Sequence, residues 1–141
     1  MPSQPDTLQL VPDDQAVSLA TQWLERIAER DGWPAKMNFG LTLSLDEALT
    51  NIVSYAFAAP SAAHAPAVRL SCHREGNRVQ LELADNGRPY DPTSAAPPPL
   101  AADLDQAEIG GHGLRLMHHY LDDLRYARDG DWNRLTLIVQ G

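Results

Sequence analysis

The sequence has few of the features that mark a secreted or membrane protein. Its 141 residues include one cysteine, Cys72, so neither a disulfide framework nor a thiolate zinc cluster can form within the chain. No segment reaches the roughly 18 apolar residues that a membrane-spanning helix requires. The first residues, MPSQPDTLQLVPDD, lack the basic start and apolar run of a signal peptide. We therefore expect a soluble, cytoplasmic protein.

Positive charge is also scarce. The chain has 11 Lys and Arg residues against 19 Asp and Glu residues, a formal net charge of −8. Such a chain repels polyanions, so we expect neither direct nucleic-acid binding nor attachment to an anionic membrane. Hydrophobic residues make up 43% of the sequence, which suffices for one core, and the length predicts a single domain over residues 1–141.

Hydrophobic periodicity predicts two helices in the first half of the chain. A short extended segment, TLQLV, precedes an acidic cap and apolar residues at helical spacing over residues 16–27. Gly32 and Pro34 should end this first helix. A second helix is predicted over residues 39–58, because the same spacing directs its leucines toward a core. Pro60 should stop it.

The second half of the chain predicts a sheet. Alternating segments near residues 67–73 and 78–84, separated by Glu-Gly-Asn, predict one hairpin, and LRYAR and RLTLIVQ predict a second. Between them lies a proline-rich stretch, residues 88–109, which is too long for an ordinary connection and is typical of a lid, a binding loop or disorder. The element order indicates an α+β fold, with helices on one face of the sheet.

Glu47 and Asn51 form the first group that could carry chemistry. They lie one helical turn apart in LDEALTNIV, so their side chains point the same way. A polar stripe on an amphipathic helix would explain the pair. Alternatively, Asn51 presents a neutral oxygen to Mg²⁺ while Glu47 remains free as a general base. The spacing alone leaves both interpretations open.

The stretch VQLELADNGRPYDP ends an apolar strand with Asp85, Asn86 and Gly87. A turn could use these residues, because Asp and Asn form side-chain turns and Gly87 can supply a positive φ. The spacing of a helix-loop-helix calcium site is absent. A carboxylate at the end of such a strand is half buried and requires a donor, which the amino group of adenine would provide. Gly87 would let the base approach the backbone.

A third group, IGGHGLRLM, places glycines at the start of a predicted helix, where free N–H groups form an anion site. No Gly-Lys-Ser/Thr follows, so this is not a Walker loop. Leu116 replaces the third glycine of a dinucleotide fingerprint, which excludes that motif too. The glycine cluster alone is a weak signal, but the three groups together, in this order, are more specific.

The order of these groups resembles the GHKL ATPase superfamily, and most closely its anti-sigma-factor serine kinases. DEALTNIV is similar to the N box, DNGRPYDP to the first glycine box and GGHGLRLM to the second, while NRLTL is typical of the C-terminal hairpin. The resemblance covers nearly the whole chain. It implies a two-layer α/β sandwich with a mixed, mostly antiparallel sheet, which binds ATP and Mg²⁺ beneath a mobile lid at about residues 91–110.

The resemblance also implies roles for individual residues. Glu47 would be the catalytic base, Asn51 the Mg²⁺ ligand, and Asp85 the residue that receives adenine, with Gly87 beside it. The other nucleotide-binding residues it implies are Tyr90, Gly110, Gly111, His112, Gly113, Leu114 and Arg115.

The implied function is that of a serine protein kinase which binds a sigma factor, phosphorylates an anti-anti-sigma protein of the STAS type, and forms a homodimer. The lid departs from a phosphate-binding composition, since residues 89–109 contain four acidic residues and neither Lys nor Arg. Triphosphate charge would then be met by Mg²⁺, the helix N-terminus and Arg88 or Arg115. The alternative is a catalytically weak ATP-binding regulatory module.

Overall fold

The computed structural model describes residues 5–56, 66–91, 117 and 119–140. The predicted lid beyond Asp91, the second glycine box and the predicted helix end beyond residue 56 lie outside these ranges.

Five strands form one antiparallel sheet in the order β1-β2-β3-β5-β4. The strands are β1 (Asp6–Leu10), β2 (Val68–Glu75), β3 (Arg78–Asp85), β4 (Asp123–Asp129) and β5 (Trp132–Gln140). Both predicted hairpins are confirmed. Each turns at a glycine with positive φ, +61° at Gly76 and +59° at Gly130, where a side chain would be strained. All pairings among the described strands are antiparallel, so no mixed pairing is seen there.

The first helix, α1 (Ala16–Asp31), ends where the sequence predicts. Gly32 adopts φ of 65° and its N–H donates to the carbonyls of the last turn, which is the usual glycine C-cap. The acidic residue at its start, Asp13, accepts a hydrogen bond of 2.9 Å from the N–H of Gln15. The residue at the N-cap itself, Gln15, makes no side-chain capping bond.

The second helix, α2 (Ala35–Asn51), differs from its prediction at both ends. It begins four residues earlier, because Pro34 takes the N-cap position and its fixed φ suits a helix start. After Asn51 the backbone widens into a π-helical turn, Ile52–Ala56, so the predicted α-helix is wrong over these five residues. Such wide turns are frequent at functional sites.

The core lies between the two helices and one face of the sheet, which confirms the two-layer α/β arrangement. Every second residue of β3 faces this core, and α2 contributes Leu41, Leu45 and Leu49, which are fully buried. Cys72 is buried there as well, and burial raises the pKa of its thiol to about 12. Cys72 therefore packs as a small hydrophobic residue of the core.

The opposite face of the sheet is polar. It carries a concavity of about 500 Å³, lined in part by Arg69, Glu82, Trp132 and Arg134. The Arg69 guanidinium lies 4.5 Å from the centre of the Trp132 ring, and Arg134 pairs with Glu82 at 3.0 Å. None of the described helices is long and apolar enough to cross a membrane.

Candidate nucleotide and catalytic site

Asp85 and Asn133 face each other across the β3–β5 ladder at its end. Each continues the inward-facing row of its strand, so both are buried, with relative exposures of 2% and 3%. The side-chain amide of Asn133 donates a hydrogen bond of 2.9 Å to Oδ1 of Asp85. The sequence predicted a half-buried carboxylate in need of a donor, whereas the chain itself buries the group almost fully and supplies one donor.

The orientation of the Asn133 amide is fixed by its other partners. Its nitrogen also donates to the carbonyl of Arg88 at 2.7 Å, and its oxygen accepts from the N–H of Tyr90 at 3.1 Å. The Tyr126 hydroxyl donates to the same oxygen. Because a carbonyl can only accept and an N–H can only donate, exchanging the amide atoms would break the network. Asn133 therefore holds the backbone of the first glycine box as well as Asp85.

The loop after Asp85 is an Asp-type side-chain turn. The N–H of Gly87 donates to Oδ1 of Asp85 at 3.0 Å, and Asn86 accepts from the N–H of Ala67 at 2.8 Å. Gly87 is not among the glycines with positive φ, so the turn interpretation is correct in its hydrogen bond and wrong in its backbone conformation. Arg128 closes the loop by donating to the carbonyl of Gly87 at 2.9 Å.

Burial raises the pKa of Asp85 from its usual value. Three interactions oppose the rise, namely the hydrogen bond from Asn133, the N–H of Gly87 and the positive charge of Arg128. Both donors act on Oδ1, and no residue in the described ranges hydrogen-bonds to Oδ2. The site thus presents a desolvated carboxylate with one oxygen still able to accept a hydrogen bond.

Glu47 and Asn51 lie together on α2, as their spacing predicts. The Asn51 amide lies 3.5 Å from Oε1 of Glu47, at the long limit of a hydrogen bond, and both side chains are half-buried. Burial raises the pKa of Glu47, the hydrogen bond from Asn51 lowers it, and the charge of neighbouring Asp46 raises it again. A carboxylate with a raised pKa is a stronger base, which suits proton abstraction.

The residues present fit a magnesium ion at Asn51. Its amide nitrogen is directed to Glu47, which leaves its side-chain oxygen as the atom able to bind a cation, and oxygen is the ligand that Mg²⁺ prefers. The described part of the chain holds no cluster of three or more His, Cys, Asp or Glu residues that could bind a metal by themselves. An ion here would therefore share its ligands with a phosphate substrate and water.

The described hydrogen bonds divide the predicted site residues into two groups. Asp85, Gly87 and Tyr90 form one, joined through Asn133, and the ring of Tyr90 packs against the core. Glu47 and Asn51 form the other on α2. The remaining predicted residues, Gly110, Gly111, His112, Gly113, Leu114 and Arg115, lie outside the described ranges.

Sequence reasoning missed Asn133, Tyr126 and Arg128. A signal for Asn133 was present, since it occupies the first inward position of a row that continues with Leu135 and Leu137. A polar residue at the end of such a row mirrors Asp85 at the end of its own row. Arg128 has no comparable signal, because it sits on the exposed part of β4 and reaches the loop only through the hairpin geometry.

Known proteins match this chain along nearly its whole length. Residues 10–139 match the family model described as "Histidine kinase-like ATPase domain". The chain is 50% identical over 137 residues to the serine/threonine-protein kinase BtrW of Bordetella bronchiseptica, which covers 97% of this chain and 94% of that protein. It is 28% identical over 127 residues to the serine-protein kinase RsbW of Listeria innocua, covering 87% of this chain and 79% of that protein.

Two solved structures share the fold. The RsbU and RsbW domains of a Mycobacterium tuberculosis protein align with a TM-score of 0.70 at 13% identity, over 99% of this chain and 33% of that one, so this chain spans about a third of it. A blue-light activated histidine kinase of Erythrobacter litoralis aligns with a TM-score of 0.54 at 16% identity, over 99% of this chain and 69% of that one. The chain belongs to the histidine kinase-like ATPase domain family, in which it is related to the serine/threonine-protein kinases BtrW and RsbW.

Proposed function

We propose that this chain is an ATP-dependent serine protein kinase that also acts as an anti-sigma switch. It binds a sigma factor and phosphorylates an anti-anti-sigma protein of the STAS type on serine. The observation that carries the proposal is the 50% identity to a named serine/threonine-protein kinase over 97% of the chain. The site supports it with a half-buried base beside an amide on α2 and a buried carboxylate acceptor at the end of β3.

Phosphoryl transfer in this proposal begins at Glu47. Its carboxylate accepts the proton of the partner's serine hydroxyl, whose oxygen bonds to the γ-phosphorus of ATP. The bond from that phosphorus to the β–γ bridging oxygen breaks, and ADP leaves. Burial favours the reaction because it makes Glu47 a stronger base, while Asn51 holds the carboxylate in place.

Asp85 binds the base of ATP in this proposal. Its Oδ2 accepts a hydrogen bond from the adenine amino group, while Gly87 and Asn133 occupy Oδ1. Asn51 would hold Mg²⁺ through its side-chain oxygen, and the ion, when bound, neutralises phosphate charge. Residues 110–115, which lie outside the described ranges, are proposed from the sequence alone as the phosphate-binding segment.

The proposal extends to the chain's organisation. Residues 1–141 form one domain, with a lid at about residues 91–110, and the protein acts in the cytoplasm as a homodimer. Similarity to BtrW along 94% of that protein supports a single domain. The cytoplasmic compartment follows from the proposed sigma-factor partner. Dimerisation rests on the family resemblance.

The second candidate is an ATP-binding regulatory module without useful kinase activity. The specific observation in its favour is the acidic lid segment, in which residues 89–109 contain neither Lys nor Arg. Positive charge near the transferred phosphoryl group is a large part of how kinases stabilise the transition state.

Affinity capture from the native cell distinguishes these candidates. The tagged chain would be incubated in lysate with ATP and Mg²⁺, and captured proteins would be examined for phosphoserine by mass spectrometry. A Glu47→Ala chain serves as the matched control. We expect a captured protein to carry phosphoserine with the wild-type chain and to lose it with the control. Capture of a partner that remains unphosphorylated with both chains, despite ATP binding, would support the regulatory module instead.

A further inference from the structure

We propose that Asn133 is a positioning residue that makes the site selective for purines with an amino group at C6. It does so by saturating Oδ1 of Asp85 and directing Oδ2 to the base. This inference rests on the proposed function, because it assumes that Asp85 receives the base of a nucleotide. It adds a residue on another strand, 48 positions away in sequence, as the source of base selectivity.

The first step is the occupancy of the Asp85 carboxylate. Oδ1 receives two hydrogen bonds, of 2.9 Å from Asn133 and 3.0 Å from the N–H of Gly87, which use both of its lone pairs. Within the described ranges no donor reaches Oδ2. The carboxylate is therefore held at one oxygen, and the second oxygen is the acceptor left for a ligand.

The second step is the rigidity of Asn133. Its amide makes four hydrogen bonds, two as donor and two as acceptor, which is its full capacity. The three partners other than Asp85 belong to the first glycine box or to β4, so the amide cannot rotate without disrupting the loop. A group held in this way positions Asp85 before any ligand arrives, which reduces the cost of ordering the site upon binding.

The third step is the chemistry of the base. An ionised carboxylate only accepts hydrogen bonds, so Oδ2 pairs with the amino group at C6 of adenine and repels the carbonyl oxygen at C6 of hypoxanthine. Without the Asn133 donor, the buried carboxylate is poorly solvated and gains a proton or rotates. A protonated carboxyl can donate to that carbonyl oxygen. Among the described residues, the charged and titratable side chains that act on Asp85 are Arg128 and Tyr126 on β4.

Binding of ATP and of inosine triphosphate, which carries oxygen at C6, tests the inference. Asn133→Asp keeps the size of the side chain and its acceptor for Tyr90 and Tyr126, and removes the amide nitrogen that donates to Asp85 and to the carbonyl of Arg88. We expect ATP affinity to fall about 10- to 100-fold. Apart from any loss that both nucleotides share, the affinity for inosine triphosphate should change by less than about threefold. The ratio of ATP affinity to inosine triphosphate affinity should therefore fall. The two carboxyl groups at positions 85 and 133 would then share a proton, which neutralises Asp85 in part. Any net added charge acts on the phosphates of both nucleotides alike, so the ratio of the two affinities isolates the effect on the base.

Two further variants keep the test decisive. Asn133→Ala removes the donor without adding a carboxylate, and it should also lower the ratio of ATP affinity to inosine triphosphate affinity. Arg134→Gln changes the next residue of β5, which faces the opposite side of the sheet and pairs with Glu82, and should leave the ratio unchanged. Cooperative thermal unfolding verifies that an Asn133 variant is folded. If such a variant kept the wild-type ratio of the two affinities, the inference would be overturned and the proposed function would remain intact. A wild-type chain that binds neither nucleotide would overturn both.

Discussion

Gly40 on α2 lies directly against Tyr120, so closely that a Cβ built on the glycine would be 2.8 Å from the Cβ of Tyr120. Real Cβ atoms do not approach other atoms at that distance. Phe39 packs beside this contact, with its ring 5.3 Å from that of Tyr120 in an edge-to-face arrangement. The helical turn at Tyr120 follows the second glycine box in sequence, so Gly40 lets that part of the chain dock closely on the helix that carries Glu47 and Asn51.

Gly40→Ala should therefore destabilise the protein, although alanine favours helices by about 1 kcal/mol over glycine. The added methyl group must displace Tyr120, and overpacking of this kind costs about 1–3 kcal/mol. We expect a net loss of about 1 kcal/mol in the free energy of unfolding, measured by urea denaturation monitored by circular dichroism.

Lys36→Ala is the matched control for this prediction. Lys36 lies one turn earlier on the same helix and is exposed, so its replacement should change stability by less than about 0.5 kcal/mol. A Gly40→Ala protein more stable than wild type would show that Tyr120 moves aside at no cost and that the contact does not constrain α2.

The fold followed from the sequence wherever a local signal determined it. Both hairpins turn at glycines whose positive φ restricts the position to that residue, and Gly32 ends α1 for the same reason. The start of α2 was missed because Pro34 can either follow a helix or begin one, and local composition does not decide between them. The α-to-π change after Asn51 has no sequence signal that we can identify.

The candidate site was predictable only in part, since its two halves depend on different ranges of sequence. Glu47 and Asn51 are neighbours by helical spacing alone. The partner of Asp85 depends instead on the register of two strands separated by a long connection. That register places Asn133 opposite Asp85, and no local pattern around either residue specifies the pairing.

Glu47 and Asn51 should have separable effects on the reaction. Glu47→Gln keeps the size of the side chain and removes the base, so phosphoryl transfer to the captured partner should fall about 10²- to 10⁴-fold while ATP affinity stays within about threefold. Asn51→Ala should instead weaken ATP binding in the presence of Mg²⁺ and have little effect without the ion. Isothermal titration with and without Mg²⁺, together with radiolabel transfer, measures both.

The neighbouring carboxylate provides the control for this pair. Asp46 is exposed on the same turn of α2, so Asp46→Asn should retain transfer within about twofold. In the wild-type chain, transfer should increase as the pH rises through the raised pKa of Glu47, because only the deprotonated carboxylate can accept a proton. If Glu47→Gln transferred phosphate at the wild-type rate, another group would have to be the base.

Asp85→Asn should stabilise the protein at neutral pH while it abolishes selective ATP binding. The wild-type carboxylate is 2% exposed, and its burial disfavours the ionised form more than Asn133, Gly87 and Arg128 together favour it. An amide at this position avoids that cost and can still accept from Asn133 through its oxygen. We expect a gain of about 1 kcal/mol in the free energy of unfolding at pH 7, because a functional residue that is costly to bury lowers stability.

The dependence of this gain on pH identifies ionisation of Asp85 as its cause. Because the pKa of Asp85 is higher in the folded than in the unfolded chain, the folded state binds the proton more tightly, and wild-type stability improves relative to the variant as the pH falls. The difference between the two proteins should thus be largest at neutral pH and decrease as the pH drops through the raised pKa of Asp85 toward 3.8, the ordinary pKa of an aspartate side chain. Urea denaturation of both proteins between pH 7 and pH 4 measures this difference, because the contributions of the other titrating groups cancel in it.

Asp129→Asn, at an exposed position in the β4–β5 hairpin, is the control and should change stability by less than about 0.5 kcal/mol at pH 7. A gain from Asp85→Asn that stays constant across this range would mean that packing, and not the buried charge, limits the stability of the wild-type chain.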